Sequence, residues 1–160
     1  MPRLSFHGKG DTSAQIALHP GSGSEKKNWP EEKWADLLAY LVNHSHLNLL
    51  LVGGEAEGER LQRLAAALPP KRARVAQSLP LAELGRLLEK CIAFIGHDSG
   101  ISHLAAAVGL PSVLLWGTTA ETIWKPPAER IVVIKSEEGL DKLAVEDVTR
   151  ALRKLGVDGL

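Results

Sequence analysis

The stretch IAFIGHDSGISHLAAAVGLPSVLLW, residues Ile92 to Trp116, decides the fold. It opens on a short apolar run, Ile92 to Gly96, and then crosses a polar turn. A small-residue helix follows from Ser99 to Val108, ends at Gly109 with Pro111 beyond, and gives way to a second apolar run, Ser112 to Trp116. Continuous apolar runs of this length suit strands buried on both faces of a sheet. Two such strands joined by a helix form a βαβ unit, so they lie parallel, and the crossover is right-handed.

Working outward, the same alternation continues. Downstream, Arg130 to Ile134 reads as a strand and Val145 to Leu155 as a terminal amphipathic helix. Upstream, Gln15 to His19, Asn48 to Val52 and Ala73 to Ala76 read as strands. Between them, Pro30 to Asn43 reads as a helix with Trp34, Leu37, Leu38 and Leu41 on one face, and Pro30 suits its first turn. Glu55 to Leu68 is a helix stopped by Pro69 and Pro70, and Leu81 to Lys90 is another. The expected fold is α/β: a Rossmann-like parallel sheet with helices on both faces. At 160 residues the chain suits one domain, placed at 15–160, with 1–14 as an N-terminal tail or linker. The polar, Gly-containing start lacks the apolar core of a signal peptide.

Composition narrows the partners. Lys plus Arg and Asp plus Glu stand at 19 each, so the formal net charge is zero. No basic field is available to hold a nucleic-acid backbone, and any anion must be held by a few placed groups. The single cysteine, Cys91, excludes an internal disulfide and reads as a small buried hydrophobe. That usage fits a reducing, cytoplasmic compartment. The longest apolar runs are strand-sized, so no integral membrane segment is expected.

In a sheet of this kind ligands bind beyond the carboxyl ends of the strands. Four strand exits carry unusual residues. The first, His19 to Pro30, holds two glycines, Ser22, Ser24 and the paired Lys26 and Lys27. Hydroxyls, free backbone N–H groups, positive charge and a following helix N-terminus suit a pyrophosphate. A flexible solvated loop would also contain Gly and Ser, and neither the Walker nor the G-x-G-x-x-G spacing is present. The second exit, Gly53-Gly54-Glu55-Ala56-Glu57, offers a carboxylate that could accept hydrogen bonds from ribose hydroxyls. Acids in a first helical turn are equally expected on dipole grounds. The third, Gly96 to His103, is denser in polar groups than a helix cap requires, although Asp98 or Ser99 could serve as that cap. His97 and His103 lack a third ligand at a suitable spacing, so no metal is expected. The fourth, Trp116-Gly117-Thr118-Thr119 followed by Trp124-Lys125-Pro126-Pro127, could close one side of a cleft or simply turn the chain.

These exits, taken in order, resemble the family 9 glycosyltransferases, the ADP-heptose:lipopolysaccharide heptosyltransferases. The resemblance rests on His19-Pro20-Gly21-Ser22 with Lys27 and Trp29-Pro30, on Val52-Gly53-Gly54, and on Gly96 to Ala106. Pro111 and Trp116-Gly117-Thr118 fit the continuation, which often has Phe at the position of Trp116. The likeness runs from about residue 15 to about residue 155.

The resemblance implies one half of a two-domain GT-B fold, the C-terminal, donor-binding half. It implies transfer of heptose from ADP-heptose to the lipopolysaccharide core with inversion, without a tightly bound metal or other cofactor. By position, Lys27 would meet the donor diphosphate, stabilising the leaving group, with Ser22 and Ser24 nearby. Glu55 would approach the ribose, with the register between Glu55 and Glu57 left open. Asp98 would bond the heptose hydroxyls, the Ser99 and Gly100 backbone would face the phosphates, and His103 would support that corner. The catalytic base and the lipopolysaccharide acceptor site would belong to an N-terminal domain, so this half alone would bind donor without turnover. The enzyme would be cytoplasmic, peripheral at the inner membrane face. Two alternatives stand beside this: a stand-alone nucleotide-binding module, and a GT-B domain for another, UDP-linked, sugar.

Overall fold

The computed structural model describes residues 14–22, 24–117, 130–157 and 160. Six parallel strands form one sheet: β1 (Gln15–Leu18), β2 (Asn48–Gly53), β3 (Ala73–Gln77), β4 (Ala93–His97), β5 (Ser112–Trp116) and β6 (Ile131–Lys135). Their order is β3-β2-β1-β4-β5-β6. This is the doubly wound order, and its direction reverses between β1 and β4, where a crevice opens at the carboxyl ends.

Period-two alternation divides each inner strand between two cores. Ile16 and Leu18 of β1, Leu49 and Leu51 of β2, Ala93 and Ile95 of β4, and Val113 and Leu115 of β5 point to one side. Ala17, Leu50, Val52, Phe94, Leu114 and Trp116 point to the other. The first face is covered by α1 (Glu31–His44), α2 (Gly58–Ala66) and α5 (Val145–Lys154), through residues such as Leu37, Leu61 and Leu152. The second is covered by α3 (Leu81–Glu89) and α4 (Gly100–Ala107), through Leu84, Leu88 and Ala105. Continuous apolar strands are therefore what this architecture requires, because both faces of each inner strand leave water.

The expected fold class holds, and the differences lie at element ends. The helix expected from Glu55 begins as a 3-10 turn, Glu55–Glu57, before α2 starts at Gly58. The reason is local: the Glu57 carboxylate folds back to accept the Gly54 N–H at 2.9 Å, which tightens the first turn. The loop after β1 also contains a 3-10 turn, Glu25–Lys27, and another, Leu140–Lys142, precedes α5. Among the described residues no helix is long and apolar enough to cross a membrane.

Candidate functional site

The exits of β1 and β4 meet at the reversal point, and their charged residues meet with them. Lys27 Nζ lies 3.4 Å from Asp98 Oδ2, across 71 residues of sequence. The lysine side chain is 46% exposed and the aspartate 13%, so the cation faces solvent and the anion sits against the protein. Asp98 directly follows β4, and Ser99 caps α4 by accepting the Ser102 N–H at 3.4 Å. Of the two cap candidates the structure selects Ser99, leaving Asp98 turned toward Lys27. Gly100 is the exposed first residue of α4, with open space where a Cβ would stand. The N-terminal N–H groups of that helix lie beside the Lys27–Asp98 pair, the usual setting for an anion. His103, one turn further on, is exposed.

The remaining expected residues are distributed around this centre. The Ser22 hydroxyl is used within its own loop, 2.7 Å from Asn28 Oδ1 and 3.0 Å from the Ser24 carbonyl. Its expected role as an open hydroxyl is thus modified: it braces the loop and has only lone pairs left to offer. Ser24 lines a cavity of about 260 Å³ with Glu25, Asn28 and Arg60. Glu55 is exposed and faces a more open cavity shared with Gly58 and Gln77. Gly117, after Trp116, is described, but Thr118, Thr119, Trp124, Lys125, Pro126 and Pro127 lie outside the described residues. Trp116 itself is wholly buried in the second core.

Sequence reasoning missed the groups that hold the exits together. His19, almost fully buried, sets Nδ1 3.3 Å from Ser99 Oγ and Nε2 3.7 Å from Glu57 Oε1. The second distance is too long for a hydrogen bond, and Nε2 is left without a hydrogen-bond partner among the described residues. The His19 imidazole is the main influence holding the Glu57 carboxyl down at about 2, and the Gly54 N–H works the same way against burial. One imidazole thereby connects the first, second and third exits. Arg60, from α2, donates to the Pro20 carbonyl at 2.9 Å and forks onto Glu25. That fork fastens the turn bearing Lys27 to the neighbouring helix.

His97 is fully buried at the end of β4. It accepts the Trp29 N–H at Nε2 (2.8 Å), and its Nδ1 lies 3.1 Å from the Gly21 carbonyl. A carbonyl can only accept, so Nδ1 carries the proton and the ring is neutral. Burial, opposed by the Gly21 carbonyl, pushes its pKa down to about 3, in keeping with that tautomer. Both ring nitrogens are occupied, which removes His97 from the metal question. Among the described residues no cluster of three or more His, Cys, Asp or Glu is placed to hold a metal. In the sequence His97 stands just past the apolar run Ile92 to Gly96, in the polar turn, and its pairing with His103 pointed only toward a metal.

The matched family model, glycosyltransferase family 9 (heptosyltransferase), spans residues 5–151 and so includes every strand exit just described. The chain belongs to that family. It is 38% identical over 104 residues to lipopolysaccharide heptosyltransferase 1 of Pseudomonas aeruginosa, covering 65% of this chain and 28% of that protein. To lipopolysaccharide heptosyltransferase 1 of Escherichia coli it is 28% identical over 139 residues, covering 81% of this chain and 43% of the relative. The family 9 chain therefore spans less than half the length of these relatives. The solved structure of Escherichia coli heptosyltransferase WaaC with ADP superposes with a TM-score of 0.83 at 24% identity, over 91% of this chain and 45% of that one. That of Escherichia coli ADP-heptose heptosyltransferase II gives 0.81 at 24% identity, over 91% and 47%. At this identity the superpositions establish the fold: the sheet is that of one half of a GT-B fold.

Proposed function

We propose that this chain is the donor-binding half of an inverting heptosyltransferase, taking ADP-heptose at the reversal point of the sheet for transfer to a lipopolysaccharide core acceptor. The observation that carries the reading is the Lys27–Asp98 pair at 3.4 Å beside the α4 N-terminus. A nucleotide sugar has an anionic centre and a hydroxyl-rich end, and the pair supplies a cation for the first and a carboxylate for the second.

On this reading Lys27 and the backbone at Ser99 and Gly100 stabilise the charge that develops on the departing ADP. Asp98 accepts hydrogen bonds from heptose hydroxyls and orients the anomeric carbon. Glu55, exposed on the neighbouring exit, meets the ribose. Ser22 and Ser24 shape the phosphate loop, and His103 supports the far side of the same corner. An inverting displacement also needs a base beside the acceptor hydroxyl. We assign the base and the acceptor site to a second domain, corresponding to the share of the relatives that this chain does not cover, with residues 15–160 as the donor domain. The WaaC structure that carries ADP supports adenine as the nucleobase of the donor, since the chain shares its fold across 91% of its own length. The reading entails a cytoplasmic enzyme working at the inner membrane face.

The test is calorimetric titration of the chain with ADP, UDP and ADP-heptose, repeated on Lys27→Ala and Asp98→Ala. ADP should bind, and ADP-heptose more tightly. Lys27→Ala should weaken both by about 1.5–3 kcal/mol, the range for a charged hydrogen bond. Asp98→Ala should remove the increment due to the sugar. Tighter binding of UDP than ADP would overturn the donor assignment, and no binding at millimolar ligand would overturn the site.

A further inference from the structure

The loop that carries Lys27 begins at Gly21 and ends at Trp29, and both ends are bonded to one side chain. We propose that His97 is a positioning residue: by donating to the Gly21 carbonyl and accepting the Trp29 N–H, it sets the loop so that Lys27 faces Asp98 and the donor diphosphate. The proposal rests on the donor-site reading for its ligand, and on geometry alone for the placement of the loop.

Three observations support it. First, His97 is placed to register both members of the pair at once. Its ring holds the loop of Lys27, while its main chain leads directly into Asp98. Ser102, buried on α4, donates its hydroxyl to the His97 carbonyl, which fixes the peptide that carries Asp98. Second, the ring cannot drift. It is wholly buried and packs edge-on against Trp34, centroids 5.5 Å apart, and Trp34 packs in turn on Trp29 at 5.4 Å. Trp29 is itself anchored through Nε1 to the Leu143 carbonyl at 3.1 Å. Third, the interior of the loop is already braced by the Ser22–Asn28 bond and the 3-10 turn at Glu25–Lys27. With Ser22 tied to Asn28 and Lys27 held in the 3-10 turn, fixing the two ends fixes the backbone at Lys27. Lysine has a flexible stem, so its placement depends on where its backbone is held. A neutral imidazole offers a donor and an acceptor on one rigid ring, and an apolar side chain of the same size offers neither.

The experiment compares wild type, His97→Phe and His97→Gln. Phenylalanine keeps the ring and its contact with Trp34 but has no donor or acceptor, whereas glutamine has both. Two quantities are measured: the ratio of ADP to AMP affinity, and amide hydrogen exchange at Trp29, with Leu50 and Leu51 of β2 as a control for folding. In His97→Phe the ADP/AMP ratio should fall at least fivefold and the Trp29 amide should exchange at least tenfold faster, with AMP affinity within twofold. His97→Gln should recover most of both. A folded His97→Phe protein with an unchanged ratio overturns the proposal. If His97→Phe loses protection in β2, His97→Gln decides: ratio and Trp29 protection both retained support the role, and a lost ratio, or a ratio retained while the Trp29 amide exchanges freely, overturns it. If wild type binds ADP no better than AMP, the donor reading has failed instead. The positioning claim then falls only if the Trp29 amide stays protected in His97→Phe.

Discussion

Gly21→Ala is a sharp perturbation of this site because the space beside Gly21 is filled by one side chain. A Cβ at Gly21 would stand 2.2 Å from Glu57 Cγ and 3.0 Å from its carboxyl carbon. The backbone is not the obstacle, since Gly21 is absent from the positive-φ residues. The Glu57 side chain must therefore swing away, losing the Gly54 N–H at 2.9 Å and its place 3.7 Å from His19. A hydrogen bond to a charged group contributes about 1.5–3 kcal/mol, and residual overpacking adds up to roughly 1 kcal/mol more. Gly21→Ala should then destabilise by about 2–4 kcal/mol, read as a lower urea midpoint at constant slope. Glu57→Ala removes the same bond by another route and leaves room for the new methyl. The double variant should be no less stable than Glu57→Ala alone, giving an interaction energy of about 2 kcal/mol or more. Gly100→Ala is the control. Nothing lies within 4 Å of its added Cβ and it starts a helix, so it should be neutral or stabilising by up to about 1 kcal/mol. Additive costs in the double variant would refute the steric argument.

Three further outcomes are expected. Glu57 has its carboxyl held at about 2 in the folded protein against an ordinary 4.5, so its contribution is complete above pH 4.5 and is lost as pH falls through 2. It is worth at most about 3 kcal/mol, and a stability gap between wild type and Glu57→Gln that does not shrink between pH 7 and pH 3 would contradict it. Leu38→Ala, in the first core and fully buried, should cost about 2–5 kcal/mol in urea unfolding. Leu81→Ala, 70% exposed, should stay within about 0.5 kcal/mol, and equal losses at both would contradict the core assignment. The Cys91 thiol is buried and pushed up by that burial, so a thiol reagent at pH 8 should modify it only once denaturant is present. Rapid labelling of the native protein would show that it is reached some other way.

The fold was legible because both faces of the inner strands are buried. Asn48–Gly53 reads as one apolar run for a simple reason: Leu49 and Leu51 enter one core while Leu50 and Val52 enter the other. The helix faces were equally plain, with Trp34, Leu37, Leu38 and Leu41 all buried on α1. The candidate site was read as loop compositions at the strand exits, the fourth of which lies largely outside the described residues, and the meeting of Lys27 with Asp98 followed once β1 and β4 became neighbours. What stayed hidden were the ties between loops. His19–Glu57, His97–Gly21 and Arg60–Pro20 join residues far apart in the chain. Each requires knowledge of which exits are adjacent, and residue type alone does not carry it. A His in an apolar strand and an Arg on a helix have many ordinary uses.

On the donor-site proposal, one ambiguity left by the sequence narrows on counting bonds. Glu55 and Glu57 stand on the same exit, and either could have been the acid offered to a ribose. Glu57 is committed: one oxygen accepts the Gly54 N–H, the other lies by His19, and its stem packs where a Cβ of Gly21 would be. Moving it outward would give up all three. Glu55 is exposed and opens the same turn with its carboxylate outside this network. On that proposal, the two acids therefore divide the work. Glu57 is internal, holding the second exit against the first so that the loop of Lys27 has a fixed wall. Glu55 is external and can accept hydroxyl hydrogen bonds without disturbing that wall. The same division separates His97 from Asp98, adjacent residues of which one is sealed inside and the other faces the lysine. On the donor-site proposal, the crevice binds with little rearrangement because the residues that build it are distinct from those that would touch the ligand.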